Sequence, residues 1–282
     1  MAIIHTDDIG MCQASVDAFA EMVDFGLISS GAVMVPCPWF LAAAEYAVSN
    51  PDADLGAHLT LTSEWDTYRW GPISTRDPKS GLMDDQGFFH KTSQAVAEHA
   101  DPEAALAELD MQISRALDAG IKLTHIDTHM GSVAHPKFIA GYIQLSMKYG
   151  LAPMIPRLTA DDLIRQQGID PETAKAVAAS IESLQEMGIP LLDGLSGLEL
   201  VDAEDRFEQA RQALSALKPG VTHFIIHPSK DTPELRRITS SWDCRVADYE
   251  TFTSEATRDF INNEGIQVIG YRALTELMPA SL

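Results

Sequence analysis

Short apolar segments alternate with amphipathic segments along the whole chain. In the first amphipathic segment Val16, Phe19, Ala20 and Val23 recur at helical spacing, and Gly26 follows as a helix cap. Buried strands that alternate with helices predict a parallel sheet with the helices outside it. The chain has about seven such strand–helix units, and the eight segments that could form strands are 2–4, 32–35, 55–61, 123–127, 153–156, 189–192, 221–226 and 267–269.

The chain has 282 residues, and at this length a closed or nearly closed (β/α) barrel is favoured over an open, doubly wound sheet. No glycine-rich phosphate loop follows the first strand, which counts against a nucleotide-binding fold. No repeat or linker is visible, so residues 1–282 are predicted to form a single α/β domain. The long segment 62–91 carries several aromatic side chains, and it is predicted either to wall a binding cleft or to be a packed covering loop.

Acidic side chains outnumber basic ones by 41 to 20, which gives a formal net charge of −21. Proteins that bind nucleic acid or anionic lipid need a basic surface, so we expect neither nucleic acid nor a membrane as a partner. A neutral or amine-bearing small molecule suits this charge better.

The same sequence indicates the compartment. Cys12, Cys37 and Cys244 are too few and too widely spaced for a disulfide framework, and they predict reduced, buried thiols. The first residues show no targeting pattern, and no apolar run approaches the ~18 residues of a membrane span. We therefore expect a cytoplasmic protein, with a homodimer as the default assembly.

Polar side chains that bear chemistry recur where the predicted strands end. In a parallel barrel the carboxyl ends of the strands meet at one face, and active sites are built there. A single histidine at a strand end is commonly structural, but four strand ends here carry Asp or His. These residues are Asp7, Asp8, His58, His125, Asp127, His129 and His227.

One carboxylate and two imidazoles make a suitable site for a divalent ion such as zinc. A bound metal lowers the pKa of a water molecule to about 7 and so supplies a nucleophile at neutral pH. A second carboxylate would then serve as general base, and a separate histidine would protonate the leaving group. The spacing favours metal-assisted hydrolysis and leaves open which of Asp7 and Asp8 has which role.

Five sequence blocks resemble, in order, those of the YdjC-like carbohydrate deacetylases, which include the chitooligosaccharide (chitobiose) deacetylases. HTDDIG resembles the family's NADDFG, and GAHLTLT its GLHLxLT. THIDTHMG is similar to THxDSHxH, and VTHFIIHPS to VTELMCHPG. Gly26 to Ser30 with the following Val33-Met34-Val35 resembles the family's second strand. The blocks occupy 5–10, 26–35, 56–62, 124–131 and 221–229.

The resemblance implies a distorted TIM-like (β/α) barrel and the hydrolysis of an N-acetyl group from an amino sugar, with release of acetate. It also implies site residues. Asp8, His58 and His129 would bind the metal ion, zinc or magnesium. Asp7 would be the general base, and His227 the general acid that protonates the departing amine.

Several positions depart from the family pattern or stay open. His5 stands where the family has asparagine, and His223 where it has glutamate. His125 competes with His129 for the third ligand position, because both lie near the end of the same strand. Arg157 either matches an arginine that orients the base or is an exposed arginine at a helix start.

Two alternatives remain from the sequence. The first is another metal-dependent barrel enzyme, either a hydrolase of a different amide or ester, or a sugar isomerase or aldolase. Isomerases and aldolases typically need a Glu-rich metal site or a Schiff-base lysine, and only Lys122 and Lys230 lie near a strand end. The second is a binding protein that has lost catalysis, against which the adjacent acids Asp7 and Asp8 argue.

Overall fold

The fold is a single curled sheet of seven parallel strands surrounded by helices. A computed structural model describes residues 1–167 and 170–279. The strands are β1 Ala2–Ile9, β2 Ser30–Val33, β3 Leu55–Leu59, β4 Leu123–Thr128, β5 Ala152–Pro153, β6 Gly194–Gly197 and β7 Thr222–Ile226. Their order across the sheet is β5-β4-β3-β2-β1-β7-β6.

Twelve α-helices are assigned in the described part of the chain. They are α1 Gln13–Phe25, α2 Phe40–Ser49, α3 Ser93–His99, α4 Pro102–Asp118, α5 Ile139–Tyr149, α6 Ala160–Gln167, α7 Pro171–Glu186, α8 Arg206–Ser215, α9 Pro233–Ile238, α10 Trp242–Phe252, α11 Glu255–Asn263 and α12 Arg272–Thr275. Short 3₁₀ helices span Pro78–Ser80 and His129–Ala134. None of these helices has the length and apolar composition to cross a lipid bilayer.

The two edges of the sheet meet through a short stretch of backbone. The amide of Arg157, just after β5, donates to the carbonyl of Leu192 over 2.7 Å, and the amide of Leu192 donates to the carbonyl of Ile155 over 3.0 Å. The predicted α/β fold with about seven parallel strands is therefore confirmed as a strongly curled sheet, in which two hydrogen bonds take the place of a full strand pair at the seam.

Alternation along β1 divides its side chains between the two faces of the sheet, because successive residues of a strand point in opposite directions. Ile4 packs in the main core with Phe19 of α1. Ile3 belongs instead to a smaller apolar cluster with Leu192 and Tyr271. His5 and Asp7 share the face of Ile3, so the interior of the barrel changes from apolar to polar toward the carboxyl end of β1.

Two predicted strands are wrong in detail. Residues 189–192 do not form a strand, although Ile189, Leu191 and Leu192 are buried. Their apolar side chains are buried by packing against the core, without strand pairing. Pro190 has no amide to donate to a neighbouring strand, and β6 begins only at Gly194. The predicted strand at 267–269 is reduced to a single parallel bridge between Val268 and Ala2.

Candidate active site

Asp7 and Asp8 lie near the carboxyl end of strand β1, and both reach the interior of the barrel. Alternation alone would point them in opposite directions. Asp8, however, has a left-handed backbone with φ of 62°, and the pairing of β1 with β2 shifts between Thr6 and Ile9. A left-handed conformation costs a non-glycine residue about 1–2 kcal/mol. This cost is the price of placing two adjacent carboxylates in one pocket.

Asp8, His58 and His129 converge at the carboxyl ends of three strands. Asp8 Oδ1 lies 3.4 Å from His58 Nε2 and 3.1 Å from His129 Nδ1. Each residue offers one ligand atom, and the three atoms lie within 4.8 Å of one another. Asp8 Oδ1 and His58 Nε2 are buried and have no hydrogen-bond partner among the described residues. Two unpaired buried atoms that face each other are what a bound cation would satisfy, so these residues fit a divalent metal ion.

Each of these three side chains is held from behind by a further residue. His58 Nδ1 donates to Asp127 Oδ1 over 2.8 Å, and His129 Nε2 donates to Glu64 Oε2 over 3.1 Å. A carboxylate behind a histidine fixes the ring and its tautomer, as is common for metal-ligating histidines.

Asp8 has a partner of its own. Arg245 of α10 donates from Nη1 to Asp8 Oδ2 over 2.8 Å, and both side chains are buried. Burial would raise the pKa of Asp8, but Arg245 and His129 outweigh it and hold this pKa well below its usual range. Sequence reasoning missed Arg245 and Glu64 as parts of the site.

His129 owes its place to an irregular turn. The 3₁₀ segment that begins at His129 contains two consecutive left-handed residues, Met130 with φ of 52° and Gly131 with φ of 65°. The hydroxyl of Thr128 accepts a hydrogen bond from the amide of Val133 over 3.1 Å. The Met-Gly pair in this chain therefore forms the bend that follows the histidine.

His227 lies across the pocket from the cluster of Asp8, His58 and His129. Its Nε2 is 3.8 Å from Asp7 Oδ2, and its side chain is 21% exposed, more than His58 or His129. Its backbone amide donates to Asp248 Oδ2 over 2.9 Å, and Arg206 donates from Nε to Asp248 Oδ1 over 2.7 Å. The buried Arg206–Asp248 ion pair thus holds the backbone at the carboxyl end of β7, where His227 follows.

The charges in the pocket shift several pKa values. Burial would raise the pKa of Asp7, but His58, His5 and His227 outweigh it and keep Asp7 ionised. Burial would lower the pKa of His129, yet Glu64 and Asp8 together raise it to about 9. Burial lowers the pKa of His227 below its ordinary value.

Two further residues singled out in the sequence lie elsewhere. His125 belongs to a separate group with His5 and Asp127, while His129 lies with Asp8 and His58. The half-exposed side chain of Arg157 donates to Asp193 Oδ1 over 2.8 Å. Among the described residues Arg157 makes no ion pair with the acids of β1, and Arg245 is the arginine that contacts them.

The aromatic segment 62–91 is in part a packed covering loop, and it also approaches Arg245 of the site. Trp70 and Phe89 are buried and pack in the main core. Trp65 is only partly buried, and the guanidinium of Arg245 lies 5.8 Å from its ring centre. Tyr68 donates its hydroxyl to the carbonyl of Met11 over 2.6 Å, which ties the loop to the segment after β1. The segment is therefore fixed against the core and against the segment after β1, with Trp65 next to Arg245.

Comparisons with known proteins agree with this architecture. A family model described as YdjC-like protein matches residues 1–263. A carbohydrate deacetylase of Thermus thermophilus is 30% identical over 88% of this chain and 84% of its own, and a carbohydrate deacetylase of Thermoanaerobacter pseudethanolicus is 24% identical over 96% and 98%.

The fold also has a solved counterpart. A crystal structure from Enterococcus faecalis V583, of a protein named for cellobiose-phosphate cleavage, superposes with a TM-score of 0.76 at 23% identity. It covers 97% of this chain and 98% of its own, and it shows the same fold. The resemblance seen in the sequence blocks is thus confirmed over most of the chain, which belongs to the YdjC-like protein family.

Proposed function

We propose that this chain is a metal-dependent carbohydrate deacetylase, which hydrolyses the N-acetyl group of an amino sugar or short oligosaccharide and releases acetate. Membership of the YdjC-like family and the names of the two deacetylase relatives support the reaction class. The observation that carries the proposal is the position of Asp7, between the cluster of Asp8, His58 and His129 on one side and His227 on the other. The whole of 1–282 would act as one domain.

Asp8 Oδ1, His58 Nε2 and His129 Nδ1 would hold the metal ion. Two nitrogen ligands and one carboxylate suit zinc better than magnesium, which prefers oxygen ligands throughout. When bound, the ion would polarise the acetyl carbonyl and stabilise the negative charge that develops on its oxygen.

Asp7 would take a proton from the water molecule that attacks the acetyl carbon. At neutral pH its carboxylate is ionised, which is the form that accepts a proton. Its Oδ1 is oriented by His5, whose Nδ1 donates over 2.9 Å, and this leaves Oδ2 for the water.

His227 would supply the proton that the leaving nitrogen needs. Its lowered pKa leaves the ring neutral before the reaction, so it would first take up the proton that Asp7 accepts from the water and then pass it to the nitrogen. As the bond between the acetyl carbon and the sugar nitrogen breaks, the nitrogen needs a proton to leave as a neutral amine. His227 Nε2 lies 3.8 Å from Asp7 Oδ2, and its side chain is the most exposed of the site histidines. The products are acetate and the free amino sugar, with no other reactant than water.

No specific observation favours a sugar isomerase or aldolase. Lys230, one of the two lysines near a strand end, donates to Glu21 Oε2 over 2.7 Å and to the hydroxyl of Tyr249 over 3.0 Å. A lysine held in this way is unsuited to form a Schiff base, which needs a free amine.

The test is acetate release by the purified protein from a panel of N-acetylated mono- and disaccharides. Activity is measured as purified, after chelation, and after zinc or magnesium is restored. We expect release that chelation abolishes and metal restores, and the preferred sugar identifies the substrate. Absence of acetate from every sugar, with one or more metal ions bound per chain, would overturn the substrate class and direct the search to other amides and esters.

A further inference from the structure

A second group of converging side chains lies inside the barrel, one inward-facing position earlier on β1 than Asp7. It consists of His5, His125 and Asp127, which are at most 1% exposed. Each offers one ligand atom, and the three atoms lie within 4.8 Å of one another. His5 Nε2 is 2.9 Å from His125 Nε2 and 3.6 Å from Asp127 Oδ2.

The hydrogen bonds around the two imidazoles determine where their lone pairs point. His5 Nδ1 lies 2.9 Å from Asp7 Oδ1, and a carboxylate only accepts, so the proton of a neutral His5 is on Nδ1. His125 Nδ1 lies 2.9 Å from Thr124 Oγ1, whose hydroxyl donates to Asp54. The Thr124 oxygen therefore accepts from His125 Nδ1. Both Nε2 atoms then present lone pairs to each other.

Two lone pairs at this distance need a proton or a cation between them. A proton would satisfy the imidazoles, but it would leave Asp127 Oδ2 buried and without a hydrogen-bond partner among the described residues. The other oxygen of Asp127 already accepts from His58. An unpaired buried carboxylate oxygen is costly. One cation would satisfy all three atoms together.

The spacing suits a transition metal. Zinc lies about 2.0–2.1 Å from histidine nitrogens, which places two ligands of a tetrahedral site roughly 3.3 Å apart. The two observed separations, 2.9 Å and 3.6 Å, lie on either side of this distance. We propose that His5, His125 and Asp127 bind a second divalent metal ion of the zinc class, separate from the one assigned to Asp8, His58 and His129.

The surroundings hold these ligands in place. A side-chain carbon on Gly56 would lie 2.4 Å from His125 Nε2, so a glycine there leaves room for the ring. Tyr271 stacks on His125 with ring centres 3.9 Å apart, and its hydroxyl lies 2.7 Å from His223 Nδ1. The centres of the His223 and His5 rings lie 4.4 Å apart.

This second ion would be structural. The ligands are at most 1% exposed, so the ion would be shut off from solvent and its binding would contribute to folding. It would also fix His5, and through the hydrogen bond from Nδ1 it would orient Asp7. The proposal does not depend on the proposed function, because it concerns the number and position of metal ions and not the reaction.

The experiment counts and locates zinc. The full-length protein is produced in zinc-supplemented medium and freed of loosely bound metal on a desalting column. Native mass spectrometry is then used to count zinc ions per folded chain. We expect two ions in the natural sequence and one in His125→Asn, whereas the control His99→Asn, which removes an exposed histidine, retains two.

Diffraction from crystals of the natural sequence, recorded on both sides of the zinc absorption edge, locates the ions without any variant. We expect one anomalous peak among His5 Nε2, His125 Nε2 and Asp127 Oδ2, besides any peak at Asp8. A map without a peak at that position overturns the proposal, whatever the folding of His125→Asn. So does a His125→Asn protein that still binds two ions. Neither readout involves acetate release, so a failure here is distinct from a failure of the deacetylase proposal.

Discussion

Glu64 Oε2 lies 3.1 Å from His129 Nε2, while the opposite nitrogen of the same ring faces Asp8. Glu64 follows β3, and its carboxylate reaches the bend after β4. The arrangement places a negative charge behind a candidate metal ligand. This charge makes the imidazole a stronger electron-pair donor to a metal ion and holds the orientation of the ring.

Glu64→Gln should therefore weaken metal binding by about 10–100-fold. The amide still accepts a hydrogen bond, but it lacks the charge that supports the ring. Affinity can be measured by competition with a chelator of known strength. Glu45→Gln, an exposed change on α2, should leave the affinity unchanged, and an equal effect of the two variants would refute this role of Glu64.

Metal affinity should rise as the pH is raised from 6 to 9. In the metal-free protein the pKa of His129 is about 9 and that of His58 is raised well above its ordinary value, because carboxylates outweigh burial around both. Both rings are then protonated at neutral pH, and each must lose its proton to bind a metal. We expect the affinity to gain about tenfold per pH unit for each proton displaced. A flat profile, after correction for protonation of the competing chelator, would be incompatible with these ligands.

Asp7→Asn should abolish most of the activity and leave metal binding intact. The amide cannot accept the proton of the attacking water, and general base catalysis is worth about 10²–10⁴-fold in rate. The measurements are acetate release and metal content on the same sample. Asp17→Asn, on the exposed side of α1, is the matched control. Near-normal turnover by Asp7→Asn would exclude Asp7 as the base.

His227→Gln should distinguish substrates by their leaving groups. Hydrolysis of an N-acetyl sugar needs a proton on the departing nitrogen and should fall by about 10²–10⁴-fold. An acidic phenol leaves its acetyl ester as the phenolate, without a proton, so hydrolysis of such an ester should be slowed far less. His99→Gln is the control. An equal decline with both substrates would argue that His227 binds or positions substrate and does not donate a proton.

Arg206→Met should reduce the free energy of unfolding by about 3–5 kcal/mol, because it leaves Asp248 as a buried charge without its partner. Arg211→Met removes a half-exposed charge from the same helix, α8, and should change the free energy of unfolding by less than about 0.5 kcal/mol. Urea denaturation of both variants provides the comparison. Equal losses would mean that the Arg206–Asp248 pair contributes no more than a surface pair.

The sequence was informative where local pattern and topology coincide. Parallel strands bring their carboxyl ends to one face, so strand positions alone predict that the acids and histidines at those ends lie near one another. The choice of Asp8, His58 and His129 as the ligand set rests on the family resemblance. Their roles, like the cytoplasmic location and the homodimer, stay predictions.

Glu64 could not be found in this way, because it lies in an irregular loop with no periodicity. Arg245 lies within α10, and helical periodicity does not identify a contact with Asp8 at the far end of the chain. For Arg157 the sequence allows two interpretations, a place in the pocket or an exposed position at a helix start, and the exposed position is the one that the structure shows. The seam of the barrel turns that residue toward Asp193.

Strand β1 carries Asp7 and Asp8 and lies between β2 and β7. During translation β2 emerges soon after β1, whereas β7 leaves the ribosome only after most of the chain has been made. Until then one edge of β1 keeps unpaired backbone groups, a state that invites association with other chains. His227 follows directly after β7. A nascent chain therefore carries the acid pair without the histidine that faces it, and the pocket comes into being only when the last strand of the sheet arrives.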